Sequence, residues 1–317
     1  MKIVILDGYT LYNSKIMEET YSPLGEVTCY DRTAPDEVLN RICDADAVLT
    51  NKVVISNETI DKCPKLAYIG VLATGYNVVD TAFAASKNIV VTNVPAYSTM
   101  SVVQLVFAFV LAFACKVELH SNAVHSGEWA NCPDFMFLKA PLSEISGKTM
   151  GVIGMGTIGI QVAKIASAFG MNIVCASRSP KNLDIPNLTW TSVDDVFVQA
   201  DFLTLHAPLT EQTRGIVNQK TLAKMKPTAY LINTARGPLV CDADLAEALN
   251  SDRIAGAAVD VMTSEPPKAD NPLFTAKNML ITPHLGWAST EAKERLLNIS
   301  YENLASFQNG TVVNKVN

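Results

Sequence analysis

No hydrophobic run in this sequence is long enough to cross a bilayer. The longest, residues 102–115, is interrupted by Gln104 and falls short of the ~20 residues a span requires. There is no Lys/Arg cluster. With 25 basic residues against 31 acidic ones, the formal net charge is −6. That balance excludes nucleic acid and anionic membrane as main partners, although a local basic pocket for a small anion remains possible. No CxxC pair occurs among the seven scattered cysteines: Cys29, Cys43, Cys63, Cys115, Cys132, Cys175 and Cys241. An odd, dispersed set excludes a disulfide framework and a zinc ribbon. It predicts reduced thiols, mostly filling cores, and no metal site. The opening MKIVILDGYT enters a strand-like run with no cleavage pattern behind it, so a cytoplasmic chain is expected. Short-period repeats and low-complexity tracts are also missing.

What remains is ordinary globular material. The 317 residues are 49% hydrophobic and 18% charged, enough for two domains with substantial cores. Short β-branched runs at 3–6, 47–50, 68–71 and 89–92 alternate with helical patterns such as 36–42 and 79–86. A second series of runs follows at 149–153, 172–175, 202–205, 229–233, 256–261 and 279–282. This rhythm predicts an α/β protein with two doubly wound parallel sheets.

Between the two series, residues 98–126 read as one long helix, apolar nearly all round in its first half. Such a surface demands cover on every side. A central interdomain helix, a dimer-interface helix and an ordinary core helix all remain open. A last helical pattern, 291–307, is expected to return to the first domain and make it discontinuous, as 1–97 plus 288–317 around an inserted 98–287.

Gly151-Val-Ile-Gly154-Met-Gly156-Thr-Ile-Gly159 carries G-x-G-x-x-G between a strand and a helical pattern, with a second strand behind. That is the order a dinucleotide-binding unit requires. Gly154 makes the tight turn, Gly156 admits a pyrophosphate, and Gly159 lets helix and strand pack closely. The anion would sit on the helix N-terminus. The second strand ends in Ser177-Arg178-Ser179, with no carboxylate to accept from a ribose 2′-hydroxyl. Ser177 can donate and Arg178 can pair with a 2′-phosphate, which favours NADP(H); NAD(H) binds if Arg178 is only a solvated charge.

Three later strand ends carry unusual chemistry: Arg236 in Thr234-Ala-Arg-Gly237, Glu265 in Met262-Thr-Ser-Glu-Pro-Pro267, and His284 in Pro283-His-Leu-Gly-Trp287. Ligands of open α/β sheets bind outside the carboxyl ends of the strands, so these three are expected to converge.

On these pieces, with His206-Ala-Pro-Leu-Thr210, Val259-Asp-Val261 and Thr74-Gly-Tyr-Asn-Val-Val-Asp80, the chain resembles the D-isomer-specific 2-hydroxyacid dehydrogenase family along nearly its whole length. The resemblance implies a Rossmann cofactor domain inserted into a discontinuous, flavodoxin-like substrate domain, and a homodimer built on the long helix. It implies that Arg236 holds a small 2-keto acid and that His284 gives the keto oxygen its proton. Glu265 would orient the ring and favour its charged form. It also implies that Thr74 and Gly75 receive the substrate carboxylate. Thr74, Thr234 and Asp260 would line the nicotinamide side, and Thr157 and Ile158 the pyrophosphate turn. Ala207, Pro208, Ala235 and Gly286 complete the implied cofactor contacts. Two positions depart from many members: Ser177 stands where Asp is common, and Gln104 where Glu is common. Within the family the sequence is most similar to the glycerate dehydrogenase/hydroxypyruvate reductase group. D-lactate and phosphoglycerate-type dehydrogenases, and a dinucleotide-sensing corepressor-like regulator, are the alternatives.

Overall fold

The computed structural model describes residues 1–317. The chain divides into two compact units, Met1–Ser98 with Ala288–Asn317, and Thr99–Trp287.

The first unit holds a five-stranded parallel sheet of β1 (Lys2–Ile5), β2 (Glu26–Cys29), β3 (Ala47–Thr50), β4 (Tyr68–Val71) and β5 (Val90–Thr92), in the order β2-β1-β3-β4-β5. That is the flavodoxin-like order. Helices α1 (Ser14–Tyr21), α2 (Val38–Ile42), α3 (Asn57–Asp61) and α4 (Thr81–Ser86) lie between the strands. Several begin at side-chain caps; Asn13, Ser56 and Asp80 each accept from a backbone N–H three residues on. The second unit opens with α5 (Thr99–Cys115) and α6 (Val117–His125). Its seven-stranded parallel sheet comprises β6 (Thr149–Ile153), β7 (Asn172–Ala176), β8 (Leu188–Trp190), β9 (Phe202–Leu205), β10 (Tyr230–Asn233), β11 (Gly256–Val259) and β12 (Met279–Ile281). The order is β12-β11-β10-β9-β6-β7-β8, with the direction of winding reversing between β6 and β9. Helices α7 (Thr157–Ala168), α8 (Val193–Gln199), α9 (Gln219–Leu222) and α10 (Asp242–Asn250) complete this unit, and α11 (Thr290–Gln308) lies in the first.

The central strands β3, β4, β9 and β11 are buried at every residue, as parallel strands covered on both faces must be. The structure adds two strands that sequence patterning passes over, β2 and β8. Both lie at sheet edges and are half-exposed, so neither shows a continuous apolar run. The single helix expected over 98–126 is corrected to two. Lys116 takes a left-handed φ of 50°, and α5 and α6 meet at a 59° bend. No single helix is long and apolar enough to cross a membrane. Within a single chain α5 is buried on one side and open on the other. Val103, Val106, Phe107, Val110 and Phe113 pack with α7 and β6 inside the same unit, while Gln104, Ala108 and Ala112 form an exposed strip at a spacing of four. All seven cysteines are free, but only Cys63 and Cys175 are buried, so most are not core filler.

Candidate active site

In the second unit the winding reversal places the carboxyl ends of β6 and β9 side by side, where an open α/β sheet forms its ligand crevice. Gly154 follows β6 with a φ of 100°, in the region only glycine enters freely, and a Cβ there would come 2.5 Å from the Ala207 nitrogen beyond β9. Gly156 is the N-cap of α7 and supplies no capping side chain. Nothing lies within 4 Å of where its Cβ would stand. The first N–H groups of α7, from Thr157 onward, therefore face an open cradle suited to a phosphate. A Cβ at Gly159 would overlap the Gly154 carbonyl, so strand and helix approach as closely as the spacing predicts. Beyond β7, Ser177, Arg178 and Ser179 are all exposed. The Thr234 hydroxyl, after β10, is buried and without a hydrogen-bond partner, as expected of a group that waits for a bound molecule. An open cradle and an orphaned buried hydroxyl at neighbouring strand ends fit a dinucleotide.

The carboxyl ends of β10, β11 and β12 are adjacent and bring Arg236, Glu265 and His284 to one edge of the sheet. Each loop is held from beneath. Asn233, fully buried, donates through Nδ2 to the Arg236 carbonyl (2.9 Å) and accepts from the Ala235 N–H (3.0 Å). The Arg236 guanidinium is exposed and donates to the Ala235 carbonyl at 2.7 Å. Gly237 packs so tightly on the next loop that a Cβ would overlap the Met262 carbonyl. The Met262 N–H donates to Glu265 Oε1 (3.0 Å), and Glu265 Oε2 lies 2.6 Å from His284 Nδ1. With Nδ1 donating to that carboxylate, Nε2 is the nitrogen that can pass a proton outward. His284 itself has a φ of 53°. Its loop keeps that strained turn because Asp260, 2% exposed, accepts from the Thr282 hydroxyl (2.6 Å) and from the Leu285 and Gly286 N–H groups (2.8 Å each). The Asp260 backbone carbonyl accepts from the His284 N–H at 2.8 Å.

Asp260, expected on the nicotinamide side, has its carboxylate engaged with the histidine loop. Asn233 and Gly237, which flank Thr234 and Arg236, support the loop in ways the sequence alone does not reveal. His206 Nε2 lies 3.0 Å from the Thr204 hydroxyl. Desolvation pushes its pKa down to about 3, so the ring is neutral.

In the first unit, Thr74 and Gly75 follow β4. The Thr74 hydroxyl donates to the Val94 carbonyl (2.9 Å), and the Thr74 carbonyl accepts from Asn93 Nδ2 (2.8 Å). Asp7, buried beyond β1, accepts from the N–H groups of Asn51 (2.8 Å), Lys52 (2.6 Å) and Val53 (3.3 Å). Burial raises its pKa against the pull of those donors. It ties together the ends of β1 and β3, the winding reversal of this sheet.

Residues 107–286 match the family described as D-isomer specific 2-hydroxyacid dehydrogenase, NAD binding domain. A hydroxypyruvate reductase of Blautia hydrogenotrophica is 45% identical, with both chains covered completely. A glycerate dehydrogenase of Methylorubrum extorquens is 35% identical over 99% of this chain and 98% of its own. Among solved structures, an acyclic imino acid reductase in complex with NADPH and D-Arg superposes with a TM-score of 0.88 at 30% identity, both chains covered completely.

Proposed function

The chain belongs to the D-isomer specific 2-hydroxyacid dehydrogenase family, and from that premise we propose that it reduces hydroxypyruvate, with glyoxylate as a second substrate, to the D-2-hydroxy acid. It is an NAD(P)-dependent D-2-hydroxyacid dehydrogenase. The substrate reading draws on the hydroxypyruvate reductase and glycerate dehydrogenase relatives. The observation that carries the chemistry is the 2.6 Å contact between Glu265 and His284 Nδ1, at the strand end next but one to Arg236.

A bound nicotinamide supplies the hydride that reaches C2 of the keto acid. Arg236 binds the carboxylate and keto oxygen through its planar fork, which matches paired oxygens better than an ammonium does. His284 gives the keto oxygen a proton from Nε2 and recovers one in the reverse direction. Glu265 accepts from Nδ1 throughout, fixing the tautomer and compensating the ring when it is charged. Asp260 does not touch the acid; it keeps the His284 turn in place. The N–H groups at Thr74 and Gly75 receive the substrate carboxylate. The cofactor would be held by Gly154, Gly156, Thr157, Ile158 and Gly159 at its pyrophosphate. Thr74, Ala207, Pro208, Thr234, Ala235, Asp260 and Gly286 would hold the nicotinamide half.

At the adenosine end, Ser177, Arg178 and Ser179 favour NADP(H), because nothing there repels a 2′-phosphate and a guanidinium is within the same loop. A second copy of the chain covers the Gln104, Ala108 and Ala112 strip. Trp129, Phe135 and Leu138, which follow α6, are each more than half exposed, a density of apolar surface that suits a homodimer better than a monomer. Light scattering at micromolar concentration is expected to give twice the chain mass; a monodisperse monomer contradicts the dimer.

The test of the reaction is a panel of hydroxypyruvate, glyoxylate, pyruvate and 3-phosphohydroxypyruvate with NADH and with NADPH, followed by chiral analysis of the product. The highest kcat/KM is expected with hydroxypyruvate, yielding D-glycerate. A higher kcat/KM with pyruvate or the phosphorylated acid, or the L-product, contradicts the proposal.

A further inference from the structure

We propose that Asn93, Asn303 and Asn314 form a relay that positions the Thr74–Gly75 peptide, making them positioning residues for the substrate carboxylate. The inference rests on the reading that Gly75 receives that carboxylate. A peptide bond is planar and trans, so its carbonyl and its N–H point in opposite directions. Asn93 Nδ2 donates to the Thr74 carbonyl at 2.8 Å, which turns that oxygen inward. The N–H of the same peptide unit, that of Gly75, is thereby aimed to the opposite side. The Thr74 hydroxyl bond to Val94 and the Val94 N–H bond to the Ala73 carbonyl (3.0 Å) hold the remainder of the loop against the end of β5.

Asn93 is in turn held at both backbone groups. Its carbonyl accepts from Asn303 Nδ2 of α11 at 2.9 Å, and its N–H donates to the Asn314 carbonyl at 3.2 Å. Asn314 Nδ2 closes the circuit on Asn303 Oδ1 at 2.8 Å. Asn303 is 1% exposed and Asn93 9%, so water offers little substitute for either bond. The segment that carries Asn314 is itself anchored along the sheet edge. Lys315 bridges Thr92, the Val316 N–H donates to Val91, and the Asn317 side chain bonds the backbone of Val91 (2.9 Å) and Ile89 (2.6 Å). Asn93 alone touches the peptide unit, and Asn303 and Asn314, more than 200 residues further on, hold Asn93 in place. A fold needing only a stable sheet edge has no use for the inward turn of an exposed loop residue such as Thr74.

The test compares Asn93→Ala, Asn303→Asp and Leu304→Ala. Asn303→Asp keeps the acceptor for Asn314 but loses the donor to Asn93. Leu304, buried on the same helix, lies outside the relay and serves as the packing control. Asn93→Ala is expected to raise the KM for hydroxypyruvate about tenfold, with kcat within about twofold and NADPH affinity unchanged. Asn303→Asp is expected to move KM the same way by about threefold, and covers the case in which Asn93→Ala fails to fold. Leu304→Ala should lower Tm and leave KM alone. Amide hydrogen exchange at residues 73–76 should speed up in both relay variants. In wild type with NADPH it should slow when oxamate, an isostere of a 2-keto acid, is added. If oxamate protects Gly75 but neither relay variant shifts KM, or if Leu304→Ala shifts it equally, the relay is overturned. If oxamate gives no protection, the assignment of the loop fails and the relay fails with it.

Discussion

The carboxyl edge of the seven-stranded sheet is built in two manners. At β10, β11 and β12 the loops are clamped: Asn233 under Arg236, Asp260 under His284, and Glu265 between Met262 and the imidazole. At β7 the loop of Ser177, Arg178 and Ser179 is open to solvent. The difference follows from what each end must do. Proton transfer needs the donor within tenths of an ångström of its place, and that precision comes from supports beneath the reacting side chains. Choosing between a ribose hydroxyl and a phosphate needs only charge near the right spot. Under the proposed mechanism the clamped end sets kcat and the open end cofactor preference, so each should be open to disturbance without the other.

The largest effect belongs to the clamped end. His284→Ala should lower kcat by roughly 100- to 10,000-fold, the range of general acid catalysis, with NADPH affinity within about twofold. Steady-state kinetics and fluorescence titration check both halves, and a kcat near wild type removes His284 from the reaction. Arg236→Lys keeps the charge and loses the fork. The loss of a charged hydrogen bond, about 1.5–3 kcal/mol, predicts a rise in keto-acid KM of about ten- to a hundredfold. A KM like that of wild type makes Arg236 a structural residue.

The open end should respond more weakly. Ser177→Asp with Arg178→Ala is expected to move the NADPH/NADH ratio of kcat/KM toward NADH. The loop is exposed, and screened pairs are often worth under about 1 kcal/mol, so the shift should be nearer fivefold than a hundredfold. An unchanged ratio shows that these residues do not read the 2′-position.

A separate effect falls on stability rather than on turnover. Desolvation keeps folded His206 neutral down to about pH 3, whereas an unfolded imidazole takes a proton below about 6.5. A depressed histidine pKa gives stability that is complete above about pH 6.5 and falls as the pH drops from there toward 3, by up to about 1.4 kcal/mol per unit. Denaturant melts between pH 7 and 4 should show this slope in wild type and a shallower one in His206→Gln.

Much of this was readable in the sequence, and the exceptions have physical causes. Strands buried on both faces announce themselves as unbroken apolar runs, so β3, β4, β6 and β9 match their expected bounds. The edge strands β2 and β8 are only partly covered and carry no such run. The break at Lys116 hides because a lysine, not a glycine or proline, takes the left-handed turn. The placing of Arg236, Glu265 and His284 at three neighbouring strand ends was legible, because each follows a recognisable strand run. The groups that support them were not. Asp260 and Asn233 are chosen by which backbone N–H or carbonyl lies within 3 Å once the strands are side by side, and Asn93 meets Asn303 across 210 positions of sequence.

The separation of the two ends is tested most directly by a double-mutant cycle on kcat/KM with NADPH, using wild type, His284→Ala, Ser177→Asp and the combined variant. Independent sites should add within about 0.5 kcal/mol, so the effect of Ser177→Asp should be the same, within about 2.5-fold, whether or not His284 is present. A coupling of tenfold or more contradicts the account, because the loop beyond β7 would then be acting on the chemistry at β12.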